Sequence, residues 1–410
     1  MNYNTSSFLA LRISVFRNYL FGSFISEIGN QMQIVAVAWQ IYEMTRNPAS
    51  LGLIGLANFI PIVLFSLIGG LTADKVDRRK LLFLSQGAQA LLALLLFVLT
   101  LTHLINPWII YSILILFSTA ISFSLPAKQA VLPNLVPQSF FMNAVSWHTL
   151  QFQSAIVIGP AIAGFLIGGF GVSSIYFLNA LSFLVFIIGL AYIKVPLNTA
   201  HKDVEFNVNS ILEGIKFVAG TPILYTTMIL DFLATFFGTA NILMPIFAKD
   251  ILHVGPAGLG LLYSAPAIGG VLAGVLMSSL QKTEKQGKVI IIAVILYGIA
   301  TVGFGLSSFL PVSIFFLILV GFGDMVSTIL RNTVRQIITP NHLRGRMVSV
   351  MRIFFQGGPQ LGEMEAGLLA SAVGGPISVV IGGVGVIAIT LFVGYLNPKL
   401  RNYGSKELVV

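Results

Sequence analysis

The 410-residue sequence predicts an all-α integral membrane protein with twelve transmembrane helices in two pseudo-symmetric six-helix bundles. The first observation behind this prediction is composition. Only 9% of the residues are charged, whereas a soluble protein carries about 25%. Apolar types make up 56% of the chain and its mean hydropathy is +0.92. Such a chain cannot cover its surface with polar groups, so we expect lipid to be its main solvent.

The second observation is the number of long apolar runs. A membrane-spanning helix needs about 20 mostly apolar residues. We count twelve such runs, numbered here as spans 1–12: 20–42, 51–72, 81–101, 108–125, 144–168, 174–193, 223–248, 258–279, 289–307, 312–329, 348–372 and 377–396. Dividing 410 residues by twelve leaves about 34 residues for each helix and its loop, so no soluble domain fits.

The third observation is the distribution of lysine and arginine. With twelve spans, 21 of the 23 basic residues fall on one side of the membrane, and only Arg46 and Lys249 fall on the other. Basic residues concentrate in cytoplasmic loops, so this side is predicted to be cytoplasmic, together with both termini. The net charge of +9 is therefore explained by basic residues in cytoplasmic loops, and we expect no nucleic-acid partner.

The longest polar stretch, residues 198–210, divides the chain in half. It predicts an N-terminal six-helix bundle over 1–194, a cytoplasmic linker over 195–219 and a C-terminal six-helix bundle over 220–410. Residues 208–218 alternate apolar and polar types at helical spacing, so we expect an amphipathic helix along the membrane surface.

Two short matches indicate an internal repeat. The tripeptide LGL at 51–53 recurs at 259–261, an offset of 208, and residues 137–146 resemble 340–349, an offset of 203. Nearly constant offsets suggest duplicated halves. One large class of secondary transporters has this architecture, with the substrate site between the halves near the bilayer midplane.

The loop after span 2 carries a recognisable motif, GGLTADKVDRRK at 69–80. It resembles the glycine–aspartate–arginine loop signature of the major facilitator superfamily, and the resemblance implies a loop that helps to close the cytoplasmic side. The candidate gate residues are Gly70, Asp74, Arg78 and Arg79. The departures from the signature are Thr72, Lys75 and Asp77. A purely topogenic basic loop is the alternative, but it does not explain an aspartate between glycines and cations.

Span 5 contains the sequence AIVIGPAIAG at 155–164. Gly159, Pro160 and Gly164 resemble the glycine–proline motif of the superfamily's exporters, although Ala163 stands where a second glycine is usual. A proline removes a backbone hydrogen bond and kinks a helix, while small residues allow close packing. The resemblance implies export; an ordinary kinked packing helix is the alternative.

Acidic residues inside spans are the main candidates for proton coupling. A carboxylate at the bilayer centre is costly, so it should face a cavity, bind a partner or carry protons. The candidates are Glu27, Asp231, Asp324, Glu363 and Glu365, and for each of them a structural hydrogen-bonded role is the alternative.

Spacing refines two of these assignments. Glu363 and Glu365 differ by about 200° around a helix, so we expect one to line the pathway and the other to contact a neighbouring helix. Asp324 and Arg331 lie seven residues apart, or two turns. That separation argues against a direct pair and favours a topogenic or gating role for Arg331.

The stretches QLGEMEAG at 360–367 and DMVS at 324–327 are similar to segments of the enterobactin-exporter group of the same superfamily. The resemblance extends over essentially the whole chain. In this family, spans 1, 4, 7 and 10 line the cavity, which implies substrate contacts for Gln31, Phe232, Phe236 and Asn241. Most of the 32 phenylalanines are nevertheless expected to face lipid or packing surfaces.

Motifs of enzymes are missing from the sequence. There is no G-x-x-x-x-G-K-[ST] phosphate loop, no H-E-x-x-H zinc helix and no cysteine, and His148 in span 5 is assigned to packing. We therefore expect neither enzymatic activity nor a cofactor or metal, with a proton gradient as the energy source.

Together these features predict a proton-coupled exporter of amphipathic or aromatic small organic molecules, of the siderophore or drug type, that works by alternating access. We expect a multi-pass protein of a bacterial plasma membrane. Its expected partners are its substrate, protons and lipid. We also expect a monomer, as is usual in the family. The alternatives are a facilitator or importer of a small metabolite on the same fold, and a membrane enzyme or non-transporting receptor.

Overall fold

The computed structural model describes residues 8–193, 208–280, 285–340 and 343–404. Within these ranges the side chains at 67, 71, 74, 208–212, 345, 349, 352 and 353 are not described. All regular secondary structure in the described residues is helical.

The chain forms long helices joined by short connections. Their bounds are α1 Ser14–Thr45, α2 Pro48–Lys75, α3 Arg78–Leu101, α4 Pro107–Val131, α5 Phe141–Phe170, α6 Val172–Ala191, α7 Val208–Gly220, α8 Pro222–Gly238, α9 Met244–Ile246, α10 Gly255–Ser279, α11 Gln286–Gly305, α12 Leu310–Ile338, α13 Arg344–Val373, α14 Gly375–Leu396 and α15 Pro398–Asn402. Each predicted span except 223–248 falls on one long helix, in the predicted order.

Ten helical segments of the described residues are long and apolar enough to cross a membrane. The two further long helices, α1 and α13, fall outside this set. Both are rich in acids and amides, which lower the hydropathy of a helix. The two helices that are least apolar therefore carry three of the five acids predicted for proton coupling: Glu27, Glu363 and Glu365.

The prediction of one continuous helix over 223–248 is wrong. Helix α8 ends at Gly238, and the chain continues through a 3₁₀ turn at Asn241–Leu243, α9 and a π-helix at Phe247–Ile251. Gly238 lies against the ring of Tyr297, and Pro245 has no backbone N–H to continue the hydrogen-bond ladder. A glycine contact and a proline therefore interrupt this span.

The predicted amphipathic segment is a helix, α7. Its Val218 is buried in a cluster with Leu224, Met228, Met347 and Val350, so the helix packs against α8 and α13. Its position at the membrane surface remains a prediction.

The described chain divides into two compact units. Unit 1 contains residues 1–40 and 60–205, and unit 2 contains residues 41–59 and 206–410. Unit 1 has a core that includes Phe16, Leu82 and Phe186. Unit 2 has its own core around residues such as Val294 and Val334. The end of α1 and the first part of α2 thus pack with the C-terminal helices.

Candidate functional site

A buried cluster of opposite charges joins α8 to α12 in unit 2. The carboxylate of Asp231 lies 2.7 Å from Arg331 and 3.2 Å from Arg335. The side chains of both arginines are 1% exposed and that of Asp231 is 5% exposed. Buried charges are tolerated only when they are paired and hydrogen-bonded, so this cluster fixes the two helices against each other.

Both arginines also donate hydrogen bonds to threonine residues. Arg335 donates to the carbonyl of Thr227 at 2.7 Å and to its hydroxyl at 3.3 Å. Arg331 donates to the hydroxyl of Thr328 at 3.0 Å. The Nε of Arg331 is buried and has no partner among the described residues.

Asp324 lies at the accessible edge of this cluster. Its carboxylate is 3.8 Å from Arg331, and its side chain is 47% exposed. The prediction that these two residues do not pair is therefore wrong, whereas a topogenic or gating role of Arg331 stays a prediction. Arg331 is held by Asp231, on a helix about 100 residues earlier in the chain, and the spacing within one helix could not indicate this partner. Two carboxylates face two guanidinium groups, so the cluster is neutral only when Asp324 is ionised.

Glu363 and Glu365 lie on α13. Glu363 packs against Gly55 of α2, where a Cβ atom would lie 2.8 Å from the Cβ of Glu363 and 3.2 Å from its Oε2. Both glutamates are partly exposed. Within the described part of the chain, neither forms an ion pair. Glu363 thus approaches a neighbouring helix without a cationic partner, and the division of roles between the two glutamates remains a prediction.

Aromatic rings follow Asp231 along α8. Phe232 and Phe236 stack with their centroids 6.1 Å apart, and Phe354 lies edge-on to Phe232 at 6.2 Å. Helix α13 approaches this part of α8 closely, because a Cβ at Gly362 would lie 2.9 Å from the Cα of Phe236. Asn241 is exposed in the turn that follows α8, so it is not part of the same helix face.

In unit 1, the polar residues of α1 divide into two groups. Two glutamines are bound to α6: Asn179 donates to Gln33 at 2.7 Å, and the hydroxyl of Tyr176 donates to Gln40 at 2.6 Å. Glu27 instead accepts a hydrogen bond from Gln31 of its own helix at 3.3 Å. The first group serves helix packing, which leaves Glu27 and Gln31 as the candidates for function on this helix.

The glycine–proline motif places α5 against α1. A Cβ at Gly159 would lie 3.0 Å from the carbonyl oxygen of Ile28 and would collide with the side chain of Gln31. Pro160 and Gly164 are buried, and α5 continues past them to Phe170. The motif therefore sets how closely α5 approaches the polar face of α1.

The arginines of the loop after α2 bind helix ends. Arg78 donates to the carbonyl of Ala130 in α4 at 3.0 Å, and Arg79 donates to that of Ala191 in α6 at 2.7 Å. A cation near a helix C-terminus is favoured by the unpaired carbonyls and the helix dipole. The side chain of Asp77 caps α3 by accepting from the backbone of Arg79 at 2.8 Å.

The other two gate candidates are less defined. Gly70 faces open space, since a Cβ there would meet nothing within 4 Å. Asp74 lies in α2, but its side chain is outside the described residues. The roles of Gly70, Asp74, Arg78 and Arg79 in gating stay predictions.

A second charged cluster of unit 2 was missed by the sequence analysis. Tyr42 donates to Asp250, Lys249 pairs with Glu43, and Arg46 lies 3.5 Å from Asp250. The sequence contained a signal for it: Arg46 and Lys249 are the two basic residues that depart from the one-sided charge distribution. Both cations are paired with acids here, which explains why they are tolerated on that side.

The described residues contain no group of three or more histidine, aspartate or glutamate side chains that could hold a metal ion.

The chain matches known proteins over nearly its whole length. A family model described as "transmembrane secretion effector" matches residues 5–409. The chain is 26% identical to the multidrug efflux pump Tap of Mycolicibacterium fortuitum, over 87% of this chain and 89% of that protein. It is 25% identical to the enterobactin exporter EntS of Citrobacter koseri, over 95% and 93% of the two chains.

Solved structures show the same fold. A bacterial homologue of the human lysosomal transporter Spinster, in an inward-facing and occupied conformation, superimposes with a TM-score of 0.77 at 15% identity. The match covers 96% of this chain and 99% of that one.

Proposed function

Because the chain belongs to the transmembrane secretion effector family of the major facilitator superfamily, we propose that it exports amphipathic or aromatic small organic molecules in exchange for protons. Its relatives are transporters, which supports a transport function and not an enzymatic one. The named relatives are an efflux pump and a siderophore exporter, so the proposed substrates are of the drug or siderophore type.

The observation that carries proton coupling is the position of Asp324 beside the buried ion pairs. Asp324 is the one member of the cluster that solvent reaches, with 47% of its side chain exposed against 5% or less for the other three. When Asp324 takes up a proton, one positive charge in the cluster loses its counter-charge. An unbalanced charge inside a membrane protein is costly, so protonation favours a different arrangement of the surrounding helices.

The charge balance of this cluster couples proton binding to the conformational change of alternating access. A proton that enters from the outer side binds Asp324, and its release to the cytoplasm restores the neutral cluster. Substrate binds in the opposite part of the cycle, when Asp324 is ionised. Glu363 is the second candidate for a proton carrier, because it approaches α2 without a cation. Asp231 is assigned a structural role, because its carboxylate pairs with two arginines.

The remaining parts of the proposal concern the substrate and the membrane. Phe232 and Phe236 are partly exposed and offer stacked rings to an aromatic substrate. Gln31 of unit 1 and Asn241 of unit 2 are the hydrogen-bonding candidates. The distribution of 21 of 23 basic residues supports cytoplasmic termini. The bacterial relatives support an inner membrane of a bacterium. We propose a monomer of two six-helix bundles, 1–194 and 220–410, that uses the proton gradient without a cofactor.

The test uses everted vesicles with an acid-inside pH gradient. Cationic dyes, macrolides and catecholate siderophores are added, and substrate accumulation and proton release are recorded together. The wild type should accumulate substrate while it dissipates the gradient, and Asp324→Asn should lose at least nine-tenths of this coupled flux. Glu363→Gln and Glu365→Gln, as a matched pair on α13, test which glutamate contributes. Flux that ignores both the gradient and Asp324→Asn would refute antiport and leave a facilitator.

A further inference from the structure

Unit 1 holds three titratable side chains that the mechanism above does not use together. Glu27 comes from α1, Lys128 from α4 and His148 from α5. Lys128 was expected in a loop and His148 in a packing surface. Helix α4 continues to Val131, however, so Lys128 lies inside the helix and is only partly exposed. Its surroundings therefore need an explanation beyond topology.

Lys128 has aromatic neighbours but no close counter-ion among the described side chains. Its ammonium lies 5.1 Å from the ring centroid of Phe186, and its carbonyl accepts a hydrogen bond from Tyr19 at 3.3 Å. Glu27 lies within electrostatic range of the ammonium, yet no described carboxylate forms an ion pair with it. A lysine inside a membrane protein is costly unless a partner neutralises it, and such residues mark substrate pathways.

Helix α5, which packs on α1 through Gly159, offers a second polar group. His148 lies within electrostatic range of Lys128. Gln151 follows three residues later and so lies on the same face of the helix. Gln151 is 8% exposed, and its Oε1 is buried without a hydrogen-bond partner among the described residues. Buried polar atoms are almost always paired in proteins, so this oxygen requires a donor.

We propose that Lys128 and Gln151 form a binding site in unit 1 for an organic acid that also carries a hydroxyl or N–H donor. The ammonium of Lys128 pairs with the carboxylate of the acid, and the Oε1 of Gln151 accepts from its donor. Glu27, already bonded to Gln31, supplies the counter-charge of Lys128 when the site holds no acid. The proposal rests on the proposed function and names the substrate class for it.

An acidic substrate is compatible with export by proton antiport. A membrane potential that is negative inside drives an anion outward and a proton inward. The potential therefore favours both the export of the acid and the entry of the proton. The acid binds in unit 1 and the proton binds Asp324 in unit 2, so the two sites need not compete for the same side chain.

Binding to the purified protein tests the charge requirement with matched probes. Isothermal titration compares 3-hydroxy-2-naphthoate with its amide, which has the same rings and hydroxyl but no charge. The wild type should bind the acid at least tenfold more tightly than the amide. Lys128→Met should remove this preference, whereas Lys128→Arg, which retains the charge, and Lys288→Met, which removes an exposed lysine of unit 2, should retain it.

A second comparison isolates Gln151 and does not depend on the folding of Lys128→Met. The probes are 6-hydroxy-2-naphthoate, whose hydroxyl is too far from the carboxylate to bond to it, and 2-naphthoate, which lacks the hydroxyl. Gln151→Leu should lose the wild-type preference for the hydroxy acid and keep the preference for acid over amide. Equal affinity for acid and amide in the wild type, binding of neither, or a preference that survives Lys128→Met would overturn the proposal.

The two proposals fail in distinguishable ways. Proton-coupled flux of dyes without any Lys128-dependent preference for acids would refute the acid site alone. Lys128-dependent binding of acids without proton-coupled flux of any compound would refute antiport and leave the acid site in place.

Discussion

Arg331 of α12 lies 2.7 Å from the carboxylate of Asp231 in α8 and also reaches Asp324 at 3.8 Å. One guanidinium group thus contacts a buried acid, which holds the helices together, and a half-exposed acid. A change in the charge of Asp324 would act directly on an arginine that pairs with α8. In the proposed mechanism, structure and coupling therefore share one side chain.

The first prediction concerns the loss of Asp231. Asp231→Asn leaves two buried guanidinium groups without their shared acid, so we expect a loss of about 3–5 kcal/mol of stability. Thermal unfolding of the detergent-solubilised protein, followed by circular dichroism, measures it. Asp231→Asn combined with Arg331→Met removes one of the stranded charges and should recover part of the loss.

Asp324→Asn is the control for this experiment. Its distance to Arg331 is 3.8 Å, and in this variant Asp231 still pairs with both arginines. We therefore expect a smaller loss of stability than for Asp231→Asn. An Asp231→Asn protein as stable as Asp324→Asn would contradict the structural assignment of Asp231.

Hydrophobic length was sufficient to predict the helices of this fold. Only helix and closed barrel satisfy every backbone polar group in lipid, so a run of about 20 apolar residues has almost no alternative to a helix. The break after Gly238 was missed because it depends on a contact with Tyr297 of α11, which lies about 60 residues away in the chain. A hydropathy pattern records no such contact.

The second prediction concerns the close approach of α8 and α13. A Cβ at Gly362 would lie 2.9 Å from both the Cα of Phe236 and the carbonyl oxygen of Thr235. These are backbone atoms and cannot move aside without separating the helices. Gly362→Ala should therefore lower stability by about 1–3 kcal/mol, as overpacking does, and should also reduce transport.

Gly274→Ala in α10 is the matched control, because a Cβ there would meet nothing within 4 Å. Alanine is the better helix former, so this change should leave stability equal or raise it by up to about 1 kcal/mol. Parallel melting curves in the same detergent measure both variants. A Gly362→Ala protein that melts together with Gly274→Ala would show that α8 and α13 do not need this close contact.

The third prediction concerns the start of α3. The side chain of Asp77 accepts a hydrogen bond from the backbone N–H of Arg79 at 2.8 Å, which satisfies one of the free donors at the helix N-terminus. Asp77→Ala should cost about 1 kcal/mol, and Asp77→Asn or Asp77→Ser should retain most of the stability, because both can cap. Thermal unfolding distinguishes these variants, and a loss with Asn equal to that with Ala would mean that the charge matters and not the cap.

The sequence predicted which acidic residues belong to the candidate site, but not which residues they contact. Sequence alone identified Asp231, Asp324 and Glu363, since a carboxylate in an apolar run is conspicuous wherever it lies. It could not identify what each one contacts, because Arg331 and Gly55 come from distant parts of the chain. Helical spacing relates residues of one helix only.

The fourth prediction concerns the charged cluster at the end of α1. Glu43 pairs with Lys249 of the π-helix and also lies 3.7 Å from Arg46, and the side chains of Glu43 and Lys249 are 35% and 23% exposed. Lys249→Glu places a third acid beside Glu43 and Asp250, and Glu43→Lys places a lysine beside Arg46. Each single reversal should therefore lower stability by about 1 kcal/mol.

The double variant, Glu43→Lys with Lys249→Glu, restores an opposite pair but leaves the new lysine beside Arg46. We therefore expect partial recovery, with the double variant more stable than the sum of the single losses implies. Melting temperatures of the four proteins form a double-mutant cycle whose coupling energy is the measured quantity. A coupling energy of zero would mean that Glu43 and Lys249 do not interact in solution, and the cluster would then depend on Tyr42, Arg46 and Asp250 alone.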